Sequence, residues 1–221
     1  MYYGERFNGI SHLIGTVLAI TGLISLVYVA AEQGDPWKIV SFSLYGSTLV
    51  LLYLISTLYH SARGRAKAIL QKCDHSAIYL LIAGSYTPYC LVTLRGVWGW
   101  TLFGLSWGLA IFGIIQELTL GRRTRLLSMI LYVVMGWLVV IAMQPLIAAM
   151  SWGGLFWLAL GGLIYSVGIY WFLNDEKIRH GHGIWHLFVL GGSICQPYHD
   201  KAATAHAAGG FVMHSGLQFE G

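Results

Sequence analysis

The chain has 221 residues, 57% of them hydrophobic and only 10% charged, with a mean hydropathy of +0.66. A soluble domain carries roughly 25% charged residues, so a water-soluble globular protein is excluded. The net charge of +4 sits almost entirely in breaks between apolar runs, where it reports membrane orientation rather than nucleic-acid binding.

The apolar runs are long and continuous rather than alternating, which predicts helices and not a barrel. Seven are expected, over about 8–31, 38–60, 74–93, 98–118, 126–149, 152–173 and 181–197. Residues 1–198 then form one seven-transmembrane-helix bundle, and 199–221 a polar tail, disordered or non-native. Glu32-Gln-Gly-Asp-Pro36 separates the first two runs with turn chemistry. Arg63, Arg65, Lys67 and Lys72 form a basic loop before the third, which Pro88 is expected to kink. Ser151-Trp-Gly-Gly154 reads as a tight turn, and Asn174-Asp-Glu-Lys-Ile-Arg179 as the break before the seventh. The first run is too long for a cleavable signal peptide. Three scattered cysteines, Cys73, Cys90 and Cys195, imply no disulfide framework.

Ten Lys and Arg residues fall on the side of the N-terminus and three on the other. Positive-inside logic therefore predicts a cytoplasmic N-terminus, an extracytoplasmic C-terminus and a multi-pass membrane protein. Trp37, Trp98, Trp100 and Trp152 all fall at the outer boundary, as an aromatic belt. Small-residue pairs (Gly104/Gly108, Gly162/Ser166, Gly191/Gly192) are candidates for close helix packing.

The ionisable residues share one depth on this map. Glu5, Asn8 and His12 open the first helix, and Ser56 and His60 close the second. Asp74 and His75 open the third, and His182 and His186 the seventh, all at the cytoplasmic end. Ionisable groups at membrane depth are costly and face a partner or a cavity. His182 and His186 are four apart and share a helix face, as do Ser56 and His60. The histidine pair alone fits either a metal site or an interfacial helix end. With His60, three histidines and an open position match the catalytic zinc arrangement. Asp74 then manages the proton of a metal-activated water, or serves as a helix N-cap. Ser56 donates to the reacting oxygen, or bonds back to the Leu52 carbonyl. Glu5, Asn8, His12 and His75 are candidates for supporting these groups, with interfacial capping the alternative for Glu5 and Asn8.

Taken together, Glu5-Arg-Phe-Asn8 with His12, Ser56-Thr-Leu-Tyr-His60, Asp74-His75-Ser-Ala-Ile-Tyr79 through Gly84-Ser-Tyr-Thr-Pro88, and His182-Gly-Ile-Trp-His186 resemble the bacterial hemolysin III family. That family is the prokaryotic branch of the progestin and adipoQ receptor superfamily. The resemblance covers residues 4 to 195 or so. It implies a seven-helix fold with a cytoplasmic N-terminus and an intramembrane zinc on the histidines matching His60, His182 and His186. The aspartate matching Asp74 bonds the zinc water in the receptor branch. Kinship with alkaline ceramidases implies hydrolysis of a lipid amide or ester, with a membrane lipid as substrate or ligand. The sequence departs from the family after Cys195, where Gln196-Pro-Tyr-His-Asp200 and an Ala/Gly-rich tail replace the rest of the last helix.

Other readings stand beside a zinc-dependent lipid hydrolase. One is a membrane-stress or fluidity sensor with structural zinc. Another is a pore-forming haemolysin, disfavoured because no helix carries a continuous polar stripe. A third is a haem protein using two of the histidines. A retinal protein is disfavoured because the seventh helix has no lysine.

Overall fold

In the computed structural model, residues 4–120 and 125–196 are described, and among them the secondary structure is helical, with no strand. The helices are α1 (Arg6–Glu32), α2 (Pro36–Ser61), α3 (Gly64–Pro88), α4 (Val97–Thr119), α5 (Arg125–Gly136), α6 (Met143–Ala149), α7 (Trp152–Leu173) and α8 (Gly181–Ile194). A π-helical turn, Tyr89–Thr93, continues α3, and a 3-10 turn, Leu138–Ala142, joins α5 to α6. Among the described residues, six segments are long and apolar enough to cross a membrane, α5 to α6 counting as one. α8, at 14 residues, rises roughly 21 Å, short of the ~30 Å hydrocarbon core. The polar tail expected at 199–221 lies outside the described residues.

The third helix starts ten residues earlier than expected, at Gly64. Apolarity marks membrane depth, not helix length. Arg65, Lys67, Gln71 and Lys72 are good helix formers and continue the helix beyond the bilayer. Gly64 takes φ +60° to make the turn out of α2. Asp74 is therefore mid-helix and no N-cap. The α-helical ladder of α3 ends at Pro88, where the chain passes into the π turn, so the irregularity expected there is present.

The fifth run is broken where a continuous helix was expected. Pro145 lacks an N–H and its ring opposes the carbonyl four residues back, so the helix cannot run straight through. The freed backbone groups are met from α3: Tyr86 Oη donates to the Gly136 carbonyl at 3.0 Å and accepts from Val139 N at 2.9 Å.

Most polar side chains within the helices bond back one turn. Thr16 donates to the His12 carbonyl, Thr57 to Tyr53, Thr87 to Ala83 and Ser193 to Val189. Asp35 caps α2 from both Trp37 N and Lys38 N, with Pro36 at the first helical position. Asp35 also binds Arg95 at 3.0 Å. Large apolar side chains such as Ile14, Val17, Ile24, Ile111 and Ile115 are more than half exposed, forming the lipid-facing surface. Trp37, Trp98, Trp100 and Trp152 are likewise exposed, at the starts of α2, α4 and α7, and the rings of Trp37 and Trp100 meet edge to face.

Close glycine contacts fall mostly at other positions than the sequence pairs. A Cβ on Gly104, Gly108 or Gly162 would meet nothing within 4 Å, whereas Gly113 lies against Tyr79, Gly84 against Thr48 and Gly192 against Tyr165.

Candidate metal centre

The start of α1, the end of α2, the middle of α3 and the start of α8 converge at the basic end of the bundle. The turn before α8 ends at His180, the one non-glycine residue with positive φ (62°) among the described residues. That left-handed residue points the chain into α8 and brings His182 and His186 over His60. Ring centroids are 5.2 Å apart for His60 and His182, 5.0 Å for His60 and His186, and 4.7 Å for His182 and His186. One ring nitrogen from each lies within 4.8 Å of the other two.

Each of the three rings is held from behind through Nδ1. His60 Nδ1 donates to Glu5 Oε2 at 2.7 Å, His182 Nδ1 to Asp175 Oδ2 at 3.0 Å and His186 Nδ1 to the Asn8 carbonyl at 3.1 Å. A carbonyl or carboxylate partner only accepts, so the proton belongs on Nδ1 and the lone pair on Nε2. Orientation of a ligand histidine by a carboxylate or carbonyl is what metal sites use. His60 Nε2 is buried with no protein partner. An orphaned buried acceptor is costly, and a cation in reach of all three rings resolves it. Three neutral imidazoles suit zinc. The residues present therefore fit a zinc ion.

Glu5 does not approach as a ligand; it braces. It binds His60, Asn8 Nδ2 at 2.9 Å and Lys67 Nζ. Burial opposes its ionisation, but Lys67, His60 and Asn8 outweigh burial and hold its carboxyl down at about 2. Asn8 braces through its carbonyl, joined by Ser11, whose hydroxyl lies 3.2 Å from His186 Nδ1. Asp74 and Ser56 lie on the same cavity as His182 and His186. Ser56 is 1% exposed; its hydroxyl is beside Asp74 without a hydrogen bond of good geometry, and it makes no bond back to Leu52. His12 stacks on His186 at 3.5 Å with the planes 19° apart. His75 also borders the cavity, but its Nδ1 turns to Glu117 Oε1 at 2.9 Å, away from the triad.

Asp175, Ser11, Lys67 and Glu117 escaped the sequence reading. Asp175 sits in what looks like a plain polar break, seven residues before His182. Lys67 has the look of a loop residue in the sequence, yet it lies on α3 and there bonds Glu5. Only Glu117, a carboxylate at the end of an apolar run, carried a visible signal.

The cavity has a volume of about 450 Å³, the size of a small-molecule site. It begins at His12, Ser56, Asp74, His182 and His186 and runs between α3, α5, α6 and α7 to Leu102, Leu146 and Trp152. Its lining is mostly apolar, and its near end holds Asp74 and the histidines. A haem between His60 and His186 has no room, because those rings are in edge contact.

Comparison with known sequences agrees along most of the chain. The family profile described as Haemolysin-III related matches residues 2–197. A Hemolysin-3 homolog of Bacillus subtilis is 49% identical over 190 residues, covering 86% of this chain and 89% of the relative. Hemolysin-3 of Bacillus cereus is 48% identical over 190 residues, 86% of each. The human Monocyte to macrophage differentiation factor is 30% identical over 205 residues, 89% of this chain and 82% of the relative.

Proposed function

The chain belongs to the haemolysin III family of multi-pass cell-membrane proteins, and on that premise we propose that it is a zinc-dependent hydrolase of lipid amides or esters. In this reading α8 enters the membrane as a short seventh element beside the six spanning segments, and the N-terminus is cytoplasmic. The observation that carries the reading is the joining of two environments. Two of the three Nδ1-anchored histidines, His182 and His186, and the buried Asp74 carboxylate line one end of a cavity whose lining is mostly apolar, and His60 completes the triad beside them.

His60, His182 and His186 would hold the ion. Bound zinc supplies Lewis acidity, polarising a carbonyl and acidifying water. The chain's own groups do the rest. Asp74, placed in the cavity beside the triad, accepts the proton of the attacking water and returns it to the leaving amine or alcohol. Ser56 offers a hydroxyl to the oxygen on which charge develops. The apolar length of the cavity binds the acyl chain and excludes bulk water, which strengthens both polar contacts. Glu5, Asp175 and the Asn8 carbonyl keep the rings in register.

The relatives named for haemolysis raise pore formation as an alternative. A conducting pore needs a polar lining, and this cavity is apolar over most of its length. The sensor reading keeps the zinc and drops the turnover.

Elemental analysis of detergent-purified protein, with His60→Ala and His186→Ala alongside, tests the site. About one zinc per chain in the wild type, lost in both variants, is expected, together with release of fatty acid from acyl-amide or acyl-ester lipids. Zinc with no turnover on any lipid overturns the hydrolase in favour of the sensor. No zinc, or zinc surviving both substitutions, overturns the triad.

A further inference from the structure

His12 is 4% exposed, borders the cavity beside Leu52, Ser56 and His186, and has no hydrogen-bond partner at either ring nitrogen. Ser41 and Ser76 are also buried without side-chain partners. A serine hydroxyl can turn to a carbonyl of its own helix, so those two are easily satisfied. The His12 ring makes no such bond at either nitrogen. A neutral imidazole carries both a donor and an acceptor, and here neither is met by the protein.

His12 is not a fourth metal ligand. Its ring lies nearly parallel to that of His186, 3.5 Å above it and 19° from coplanar. The lone pairs of two stacked rings run side by side and do not converge on one ion. Tyr53 meets the ring edge to face at 5.0 Å. The ring thus packs against two aromatics within the lining of the cavity. A packed, desolvated donor–acceptor next to a reaction centre is a recognition element.

We infer that His12 recognises the amide group of the bound lipid, its acceptor nitrogen taking the amide N–H and so favouring amides over esters. An amide offers the N–H that an ester of the same length lacks. A site that leaves a buried polar group unpaired with one analogue discriminates against it. The inference rests on the reading that the cavity takes a lipid at the metal end, but it does not require turnover.

The test uses two probes that differ at one atom, N-ethyl oleamide and ethyl oleate, with equilibrium binding to the zinc-loaded, detergent-purified full chain. The wild type is expected to bind the amide about tenfold more tightly, the worth of one neutral hydrogen bond. His12→Phe keeps the stack and removes the nitrogens, and it is expected to abolish the preference while retaining zinc. His12→Gln restores an acceptor and is expected to recover part of the preference. An unchanged preference in His12→Phe overturns the inference, as does its absence from the wild type. Loss of zinc from both variants also overturns it, reassigning His12 to support of His186. An amide preference without release of oleate sinks the hydrolase reading alone. Hydrolysis of both probes at wild-type rates by His12→Phe sinks this inference alone.

Discussion

The two sides of the cavity are built differently. On the side of Asp74, α3 buries ten residues, among them Asp74, Tyr79, Tyr86 and Pro88, and is wedged between α2 and α4. On the far side, α7 buries four residues, three of them glycine, and packs mainly on α8. α5 and α6 pack on α3, α4 and the 3-10 turn, and touch α7 little. One wall is therefore a close-packed frame, and the other a pair of elements that meet across a thin seam beside the cavity. Packing density decides how much a side chain can shift. A carboxylate that must be held to within a fraction of an ångström, as Asp74 would be as a base, needs the first kind of wall. A cavity that must admit a long apolar ligand from the bilayer is served by the second, because weakly packed elements open at little cost.

Breaking the rigid side at its reactive group gives the largest effect. Asp74→Asn keeps volume and hydrogen bonding but loses the base, and it leaves the histidines and their braces alone. Zinc content is expected to stay at the wild-type level while lipid hydrolysis falls by roughly 10²–10⁴-fold. Parallel zinc and fatty-acid measurements check this, and a fall in zinc matching the fall in rate would make Asp74 a ligand instead. On the open side the effect is smaller and of another kind. Gly162 borders the cavity and has nothing within 4 Å of where a Cβ would stand. Gly162→Phe fills part of the space where an acyl chain would lie. Hydrolysis of a long-chain amide is expected to fall about tenfold through KM, with a short-chain amide spared and zinc unaffected. Equal losses on both chain lengths would place the acyl chain elsewhere.

The sequence made the histidine end legible because its cost is local. Each of His60, Asp74, His182 and His186 is a polar residue at a depth where polarity must be explained, and helix phase and loop order sufficed to bring them to one face. What lay hidden depends on three-dimensional partners. Glu5 reads as a supporting group or as a cap, and its particular partner is hidden because its contact with His60 spans 55 positions in the chain. The early start of α3 was missed because Arg65 and Lys67 look like loop to a hydropathy count. The break at Pro145 was missed because the flanking residues are uniformly apolar, and apolarity alone cannot distinguish one helix from two short ones. The glycine pairs misled for the same reason: a spacing of four says which residues share a face but not what that face meets.

Glycine therefore gives the finest probe of the difference between the walls, and the smallest expected effects. On α4, Gly113 faces the frame. A Cβ there would stand 2.2 Å from the Tyr79 ring, and Tyr79 is itself fully buried and packed on Tyr132. The ring has nowhere to retreat, so Gly113→Ala is expected to cost about 1–3 kcal/mol, the range for overpacking a close-fitted core. Gly104, nine residues earlier on the same helix, meets nothing within 4 Å. Gly104→Ala adds a methyl toward open space and removes backbone freedom from the unfolded chain, so it is expected to be neutral or to stabilise by up to about 1 kcal/mol. Thermal unfolding in one detergent, read as the difference in Tm between the two variants, compares them with helix, residue type and membrane environment all shared. A lower Tm for Gly113→Ala only is the expected result. Equal Tm values would mean that Tyr79 can shift after all, and that the frame around Asp74 is softer than its burial implies.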